Sequence, residues 1–224
     1  MVVALSAATP PPRLTAWLEW LGLIEEDIVR RLSANQATFR EVMRIYDLNP
    51  GLTENAYFFA WLAENYATTM AVGIRRQRDT DPDSVSVARL LQDLQVNAAT
   101  VTRAWFASTY TSNPLGLVVG NRDFETFAPN GGLHLDPAIV QQDFDTLQSL
   151  TNPLKKYVDK RIAHHNAKVR GVTATYGELD TALEELRRLL KRYFLLLKQG
   201  ALLCADAVNQ MPWTDIFAMP WKIG

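Results

Sequence analysis

The residues best suited to chemistry concentrate in one stretch, Lys155-Lys156-Tyr157-Val158-Asp159-Lys160-Arg161-Ile162-Ala163-His164-His165-Asn166, which holds two of the three histidines of the chain. An imidazole titrates near pH ~6.5, so His164 can hold or release a proton at physiological pH while the cations beside it attract an anion. Proton exchange amid concentrated positive charge suits a phosphate-bearing ligand. On a helix of about 3.6 residues per turn, Leu154, Val158 and Ile162 form an apolar stripe, and Tyr157, Lys160, Arg161 and His164 lie along its flank. His165 turns closer to the stripe. The blander explanation of the same pattern is a solvated basic helix face.

Composition narrows the classes of function. The chain has 224 residues, 48% of them apolar, enough for the real core of one ordinary domain. A net charge of -1 and a pI near 6.3 argue against a surface that coats nucleic acid everywhere, so a nucleic-acid site has to be local. The single cysteine, Cys204, lies in an apolar run and reads as a small buried hydrophobe. With no disulfide available, a reducing cytoplasmic compartment is expected. No secretory leader is recognised at the start, and no segment reaches the ~20 apolar residues of a membrane span. Neighbouring histidines lack the i, i+4 spacing for two zinc ligands, and phosphate-binding glycine loops and nucleophile elbows are absent, so neither metal nor cofactor is expected.

Several helices must position the basic stretch. Residues 1–12 are expected to be mobile, and 13–208 to form one domain. Leu14, Trp17, Leu18, Leu21, Ile24, Ile28 and Leu32 recur at helical spacing, and Phe39, Met43 and Tyr46 extend or follow that helix. Asn49-Pro50-Gly51 breaks it. A second helix is expected from near Thr53 to Gln77, with Phe58, Phe59, Leu62, Tyr66, Met70 and Ile74 buried and Tyr57 and Trp61 widening the stripe. Its closing run Arg75-Arg76-Gln77-Arg78 reads as cations at the negative end of a helix dipole. Ser84 or Asp83 caps a third helix that extends as far as Phe106. From Tyr110 to Leu135 turn residues dominate, which predicts a long ordered loop with hairpin character; His134, within it, reads as structural.

Asp136-Pro137 opens a further helix. Pro153 kinks it or restarts it on Asn152, and the continuation carries the basic stretch to Asn166. Thr175-Tyr176-Gly177-Glu178 fits a capping box and starts the last long helix, with Leu179, Leu183, Leu186, Leu190, Phe194 and Leu197 inward and Asp180, Glu184 and Arg188 on a solvated outer side. Residues 209–224 form an aromatic tail expected to dock on the bundle or on a partner subunit. The sum is an all-α antiparallel helical bundle of five or more helices with one long loop over 110–135.

Tyr157-Val158-Asp159-Lys160-Arg161-Ile162-Ala163-His164, followed by Thr175-Tyr176-Gly177-Glu178-Leu179-Asp180 and Arg192-Tyr193-Phe194-Leu195-Leu196-Leu197, resembles the bacterial abortive-infection branch of the HEPN superfamily. Trp61-Leu62-Ala63-Glu64-Asn65-Tyr66 and the segments 74–79 and 84–91 resemble bacterial relatives of that branch. The resemblance implies a helical bundle that often forms homodimers and, in active members, cleaves RNA without metal through an Arg and a His about four to six residues apart. The His exchanges a proton with the ribose 2'-hydroxyl or the leaving group, and the Arg stabilises charge on the phosphate. His164 matches the family His. The positions available to the Arg hold Tyr157, Val158 and Asp159, none of which carries a guanidinium.

Two expectations follow. In the first, the chain binds RNA and cleaves it in phage defence, with His164 as acid/base, Lys160 and Arg161 as substitute cations, and Lys155, Lys156, Tyr157 and His165 along the phosphate path. In the second, it is a non-catalytic dimerising interaction module with a degenerate site.

Overall fold

A computed structural model of the protein describes residues 8–110, 115–162, 174–200, 202 and 213–218, with only the backbone of 53–55. Among the described residues there are eight α-helices and no strand; the sole β-type pairing is an isolated bridge between Thr102 and His134. This is the expected all-α bundle. None of these helices is long and apolar enough to cross a membrane.

The chain enters through α1 (Leu14–Glu25), passes without a break through a wider π-helical stretch at Glu26–Ser33, and continues as α2 (Ala34–Asp47). Trp17, Leu21, Ile24, Ile28 and Leu32 are all nearly or wholly inaccessible, so the predicted stripe forms the buried side. A 3-10 turn at Pro50–Asn55 leads into α3 (Ala56–Gln77). Only its second half is central: Met70, Ala71 and Ile74 have no exposed surface, whereas Tyr57, Phe58 and Trp61 are exposed. The expected stripe through Phe58 therefore overreached. In its first turns α3 meets α2, with Tyr46 against Phe59 at 4.1 Å, and its outer rings are left uncovered.

Helix α4 (Val87–Val96) is capped by Ser86, two residues beyond Ser84 and three beyond Asp83: its Oγ accepts from the Arg89 amide at 3.0 Å and donates to the Asp79 carbonyl. The helix does not run on to Phe106. Asn97 bonds back to the Asp93 carbonyl, a 3-10 turn follows, and Thr102 caps a new short helix, α5 (Arg103–Ser108). The expected loop over 110–135 contains α6 (Gly116–Phe124). Its buried positions are Gly116, Gly120 and Phe124, spaced i, i+4, i+8, so two glycines hide the hydrophobic period, and Leu117 and Val118 point to solvent. Arg103 ties the rest of this segment down by donating to the carbonyls of Gly132, Asn121 and Ala128, each at 2.8 Å.

Helix α7 (Pro137–Tyr157) opens on the Asp136 cap and runs through Pro153 without restarting at Asn152. Thr151 and Leu154, both wholly buried, hold the backbone helical on either side of the proline. Five residues of π-helix, Val158–Ile162, complete it. Helix α8 (Tyr176–Lys198) starts at the predicted capping box of Thr175 and Glu178 and ends at Gln199, which has a left-handed backbone. It runs antiparallel to the α1–α2 rod, since Lys198 faces Glu25, Arg187 faces Ser33 and Asp180 faces Gln36. Its polar face is not simply solvated. Glu185 and Arg187 are buried, and Arg188 pairs with Glu185 and Asp143 rather than with Glu184. The aromatic tail is described only at Trp213–Ala218, one 3-10 turn in which Trp213 and Phe217 meet edge to face. Cys204 lies outside the described residues.

Candidate phosphate-binding groove

The C-terminal end of α3 and the C-terminal half of α7 enclose a groove of about 170 Å³, lined by Arg75, Arg78, Asp79, Thr80, Gln148 and Lys155. Met70, Ile74 and Gln77 turn α3's inner face to the core, which leaves Arg75 and Arg78, one turn apart, on a face shared with α7. Arg75 Nε donates to Asp159 Oδ1 at 3.1 Å, and Lys155 Nζ donates to Asp159 Oδ2 at 2.6 Å. Arg75 also lies 3.9 Å from Asp79.

Arg78 is held differently. Its Nε and Nη2 donate to Gln148 Oε1, and Gln148 Nε2 donates back to the Arg78 carbonyl at 3.2 Å. This reciprocal clamp leaves Arg78 Nη1 buried without a hydrogen-bond partner among the described residues. Burial lowers the pKa of the Arg78 guanidinium, with the carboxylate of Asp159 opposing that shift and the neighbouring Arg75 adding to it. The Lys155 hydrogen bond, helped by that from Arg75 and resisted by desolvation, holds the Asp159 carboxyl below the usual carboxylate range. Three cations against two carboxylates leave the groove net positive, and the Nη1 group of Arg78 has no acceptor among the described residues. Such a site can take an oxyanion.

The residues expected from the basic stretch divide as follows. Lys155, Lys156, Lys160 and Arg161 are exposed, and Tyr157 is half-buried against the core. Only Lys155 lines the groove. The π-helical turn replaces the regular α-helix assumed beyond Tyr157, and such turns recur at functional sites. His164 and His165 lie outside the described residues. His134 is exposed, and its part in the fold is the backbone bridge to Thr102. Among the described residues, no three His, Cys, Asp or Glu side chains are grouped to hold a metal.

The positions where the resemblance expects an Arg are closed to that role. Val158 is buried in the core at 6% exposure, Tyr157 packs beside it, and Asp159 carries the opposite charge. A guanidinium nevertheless reaches Asp159 from another helix, that of Arg75. Arg75, Arg78 and Gln148 were missed as site residues because the run 75–78 has the composition of an ordinary helix end. The spacing of Arg75 and Arg78 marks them as neighbours on one face, but which element that face meets is not written locally.

The family model HEPN_AbiU2, described as AbiU2, matches residues 26–211. No curated protein matches the chain, and no solved structure matches it. The matched span runs from the π-helical stretch after α1 past the end of α8 and takes in both walls of the groove. The chain belongs to the HEPN_AbiU2 family, within the abortive-infection type of the HEPN superfamily.

Proposed function

We propose that this protein binds RNA through the α3–α7 groove and cleaves it without metal, in the setting of bacterial phage defence. The observation that carries the reading is the pairing of Arg75 with Asp159, which brings a guanidinium from α3 to the segment leading to His164. Arg75, Arg78 and Lys155 hold phosphates in the groove, and the exposed Lys156, Lys160 and Arg161 extend the path with Tyr157 and His165. His164 takes the proton from a ribose 2'-hydroxyl. That oxygen attacks the adjacent phosphorus, the bond to the 5'-oxygen breaks as that oxygen takes a proton from water, and a 2',3'-cyclic phosphate remains. Arginine N–H groups stabilise the charge that builds on the phosphoryl oxygens.

The protein acts as a homodimer. Support comes from family membership and from Tyr57, Phe58 and Trp61, exposed by 85%, 52% and 51% on one ridge of α3, since an aromatic surface of that kind is uncommon on a monomer.

A second reading is favoured by a specific observation: Asp159 already engages two of the groove's cations, and a buried valine stands beside it where the family pattern has a cation. In that reading the chain is a non-catalytic dimerising module. Incubating the purified protein with structured RNA in EDTA separates the two. Cleavage with cyclic-phosphate ends that falls at least a hundredfold in His164→Ala and in Arg75→Ala supports the enzyme; equal cleavage by wild type and His164→Ala, or none at all, supports the module.

A further inference from the structure

A second pocket, of about 410 Å³, opens between α2, α3 and the first turn of α8. It is separate from the groove, because Tyr66 on its wall and Arg75 are nine residues apart on α3, which at about 100° per residue puts them on opposite sides of that helix. Its volume is that of a ligand site for a molecule the size of a nucleotide.

The floor is aromatic and rigid. The rings of Phe39 and Tyr66 lie parallel, 3.9 Å apart with 5° between their planes. Tyr176 leans on Phe39 at 5.5 Å and 42° and is 49% exposed, so part of its ring faces open space. The rim is polar and mixed in sign. Arg40 is paired with Asp180 at 2.9 Å, and Asp180 also accepts from Gln36. Arg44 grips Glu41 with two hydrogen bonds, of 2.8 and 2.6 Å. Each guanidinium spends one side on its carboxylate and keeps further N–H donors. Asp47, exposed on the same rim, has no hydrogen bond or ion pair among the described residues. Burial, with Asp180 adding to it, pushes the Tyr66 phenol up to about 12, so its hydroxyl stays neutral.

This combination selects among ligand classes. A purely apolar molecule leaves the charged rim unsatisfied, a simple cation meets Asp47 but leaves the aromatic floor uncovered, and a simple anion finds both guanidinium groups already neutralised. A flat ring with donors and acceptors on its edge satisfies floor and rim together. Guanine does so best: its N1–H and N2–H₂ form a parallel donor pair for a carboxylate, and its O6 and N7 accept an arginine fork. Adenine sets a lone pair beside its amino group and offers Asp47 only one donor.

We infer that the α2–α3–α8 pocket is a guanine-binding site in which Tyr176 stacks on the base, Asp47 accepts from its Watson–Crick edge, and Arg40 and Arg44 face its acceptor edge. The base comes from a free guanine nucleotide or from a guanosine in an RNA strand; in the second case the inference rests on the RNA reading above and specifies a base preference for it.

Titration calorimetry with GMP, AMP and short single-stranded oligo-G and oligo-A RNA tests this on the full chain, its Tyr176→Ala and Asp47→Asn variants, and an Arg75→Ala, Arg78→Ala double variant, each checked for helicity by circular dichroism. GMP is expected to bind at least tenfold more tightly than AMP, Tyr176→Ala to weaken GMP at least tenfold, and Asp47→Asn to bring GMP and AMP within about twofold. Tyr176-dependent binding of oligo-G without binding of GMP assigns the base to an RNA strand and supports the site. GMP binding with no RNA binding in wild type supports the site and removes the RNA reading. Absence of saturable binding of GMP and oligo-G at millimolar concentration, or binding that both pocket variants leave unchanged, overturns the site. RNA binding lost only in the groove variant, with no Tyr176-dependent binding of GMP, overturns it too, while leaving the RNA reading standing.

Discussion

Arg75 of α3 and Asp159 of the π-helical turn meet at 3.1 Å although 84 residues separate them in the chain. Lys155 reaches the same carboxylate from the preceding turn. Asp159 therefore sets how much of the groove's positive charge faces outward. A phosphate entering the groove competes with this carboxylate for Arg75 and Lys155.

Removing the competitor strengthens RNA binding if the groove takes phosphates. Asp159→Asn is expected to raise RNA affinity and steepen the slope of log K against log salt by about one, and Arg75→Ala to lower affinity and flatten the slope by about one. Binding isotherms at several salt concentrations check this, and slopes that neither variant moves exclude the groove as the phosphate path.

Asp159 also makes stability depend on acidity. Its folded-state pKa lies below the ordinary value of 3.8, so its contribution is present above that pH and lost as pH falls through the lowered folded value. Because both of its partners are substantially exposed, the contribution is less than about 1 kcal/mol. Urea unfolding of wild type and Asp159→Asn at a series of pH values, followed by circular dichroism, is expected to show a stability difference at neutral pH that shrinks as pH falls through the lowered folded value. A difference of the same size at neutral pH and at pH 3 contradicts the linkage.

A buried hub joins α7 to α8. Asp143, 5% exposed, accepts from Arg188 at 2.7 Å and from Tyr193 Oη at 2.9 Å, with Arg192 Nε 3.2 Å away. Asp143→Ala leaves a buried phenol without its acceptor and strips Arg188 and Arg192 of one carboxylate, leaving Arg188 only Glu185, and is expected to destabilise by about 3 kcal/mol, the low end for a broken buried pair because Arg188 is partly exposed. Tyr193→Phe removes one hydrogen bond and costs about 1 kcal/mol. Urea unfolding of both variants checks the ranking, and an Asp143→Ala loss no larger than that of Tyr193→Phe denies the hub its role.

Alkaline pH acts through the pocket's tyrosine. Burial moves the Tyr66 phenol from 10.0 to about 12, so its contribution is fully present below pH 10 and lost as pH rises toward the folded value. Burial raises Tyr110 and Tyr193 as well, so the difference between the phenolate absorbance titrations of wild type and Tyr66→Phe is the measurement, and it is expected to be one tyrosine ionising about two units late. Normal ionisation of every tyrosine near pH 10 contradicts the buried placement.

The helical class and many boundaries were legible in the residues. The Thr175–Glu178 box and the Asp136–Pro137 opening act within a few residues of themselves, and both stand where the chain places them. The cap of α4 was misplaced because Asp83, Ser84 and Ser86 are all competent, and the choice of Ser86 is reinforced by the Asp79 carbonyl. Helix α6 was hidden because its packed positions are two glycines and one phenylalanine. At Gly120 an added Cβ would sit 2.8 Å from the Ala107 backbone, so close approach to α5, rather than apolar side chains, defines that face.

By itself the sequence determined an all-α bundle, the family to which the chain belongs and a basic stretch lacking the expected arginine, because periodicity, capping and short motifs act over a few neighbouring residues. Only the tertiary structure decided that Arg75 faces Asp159, that Arg78 is clamped by Gln148, and that Phe39, Tyr66 and Tyr176 wall one pocket. Those relationships join residues from different helices, and helix packing sets the partner of each exposed face through the fit of whole surfaces, which no local run of residues encodes.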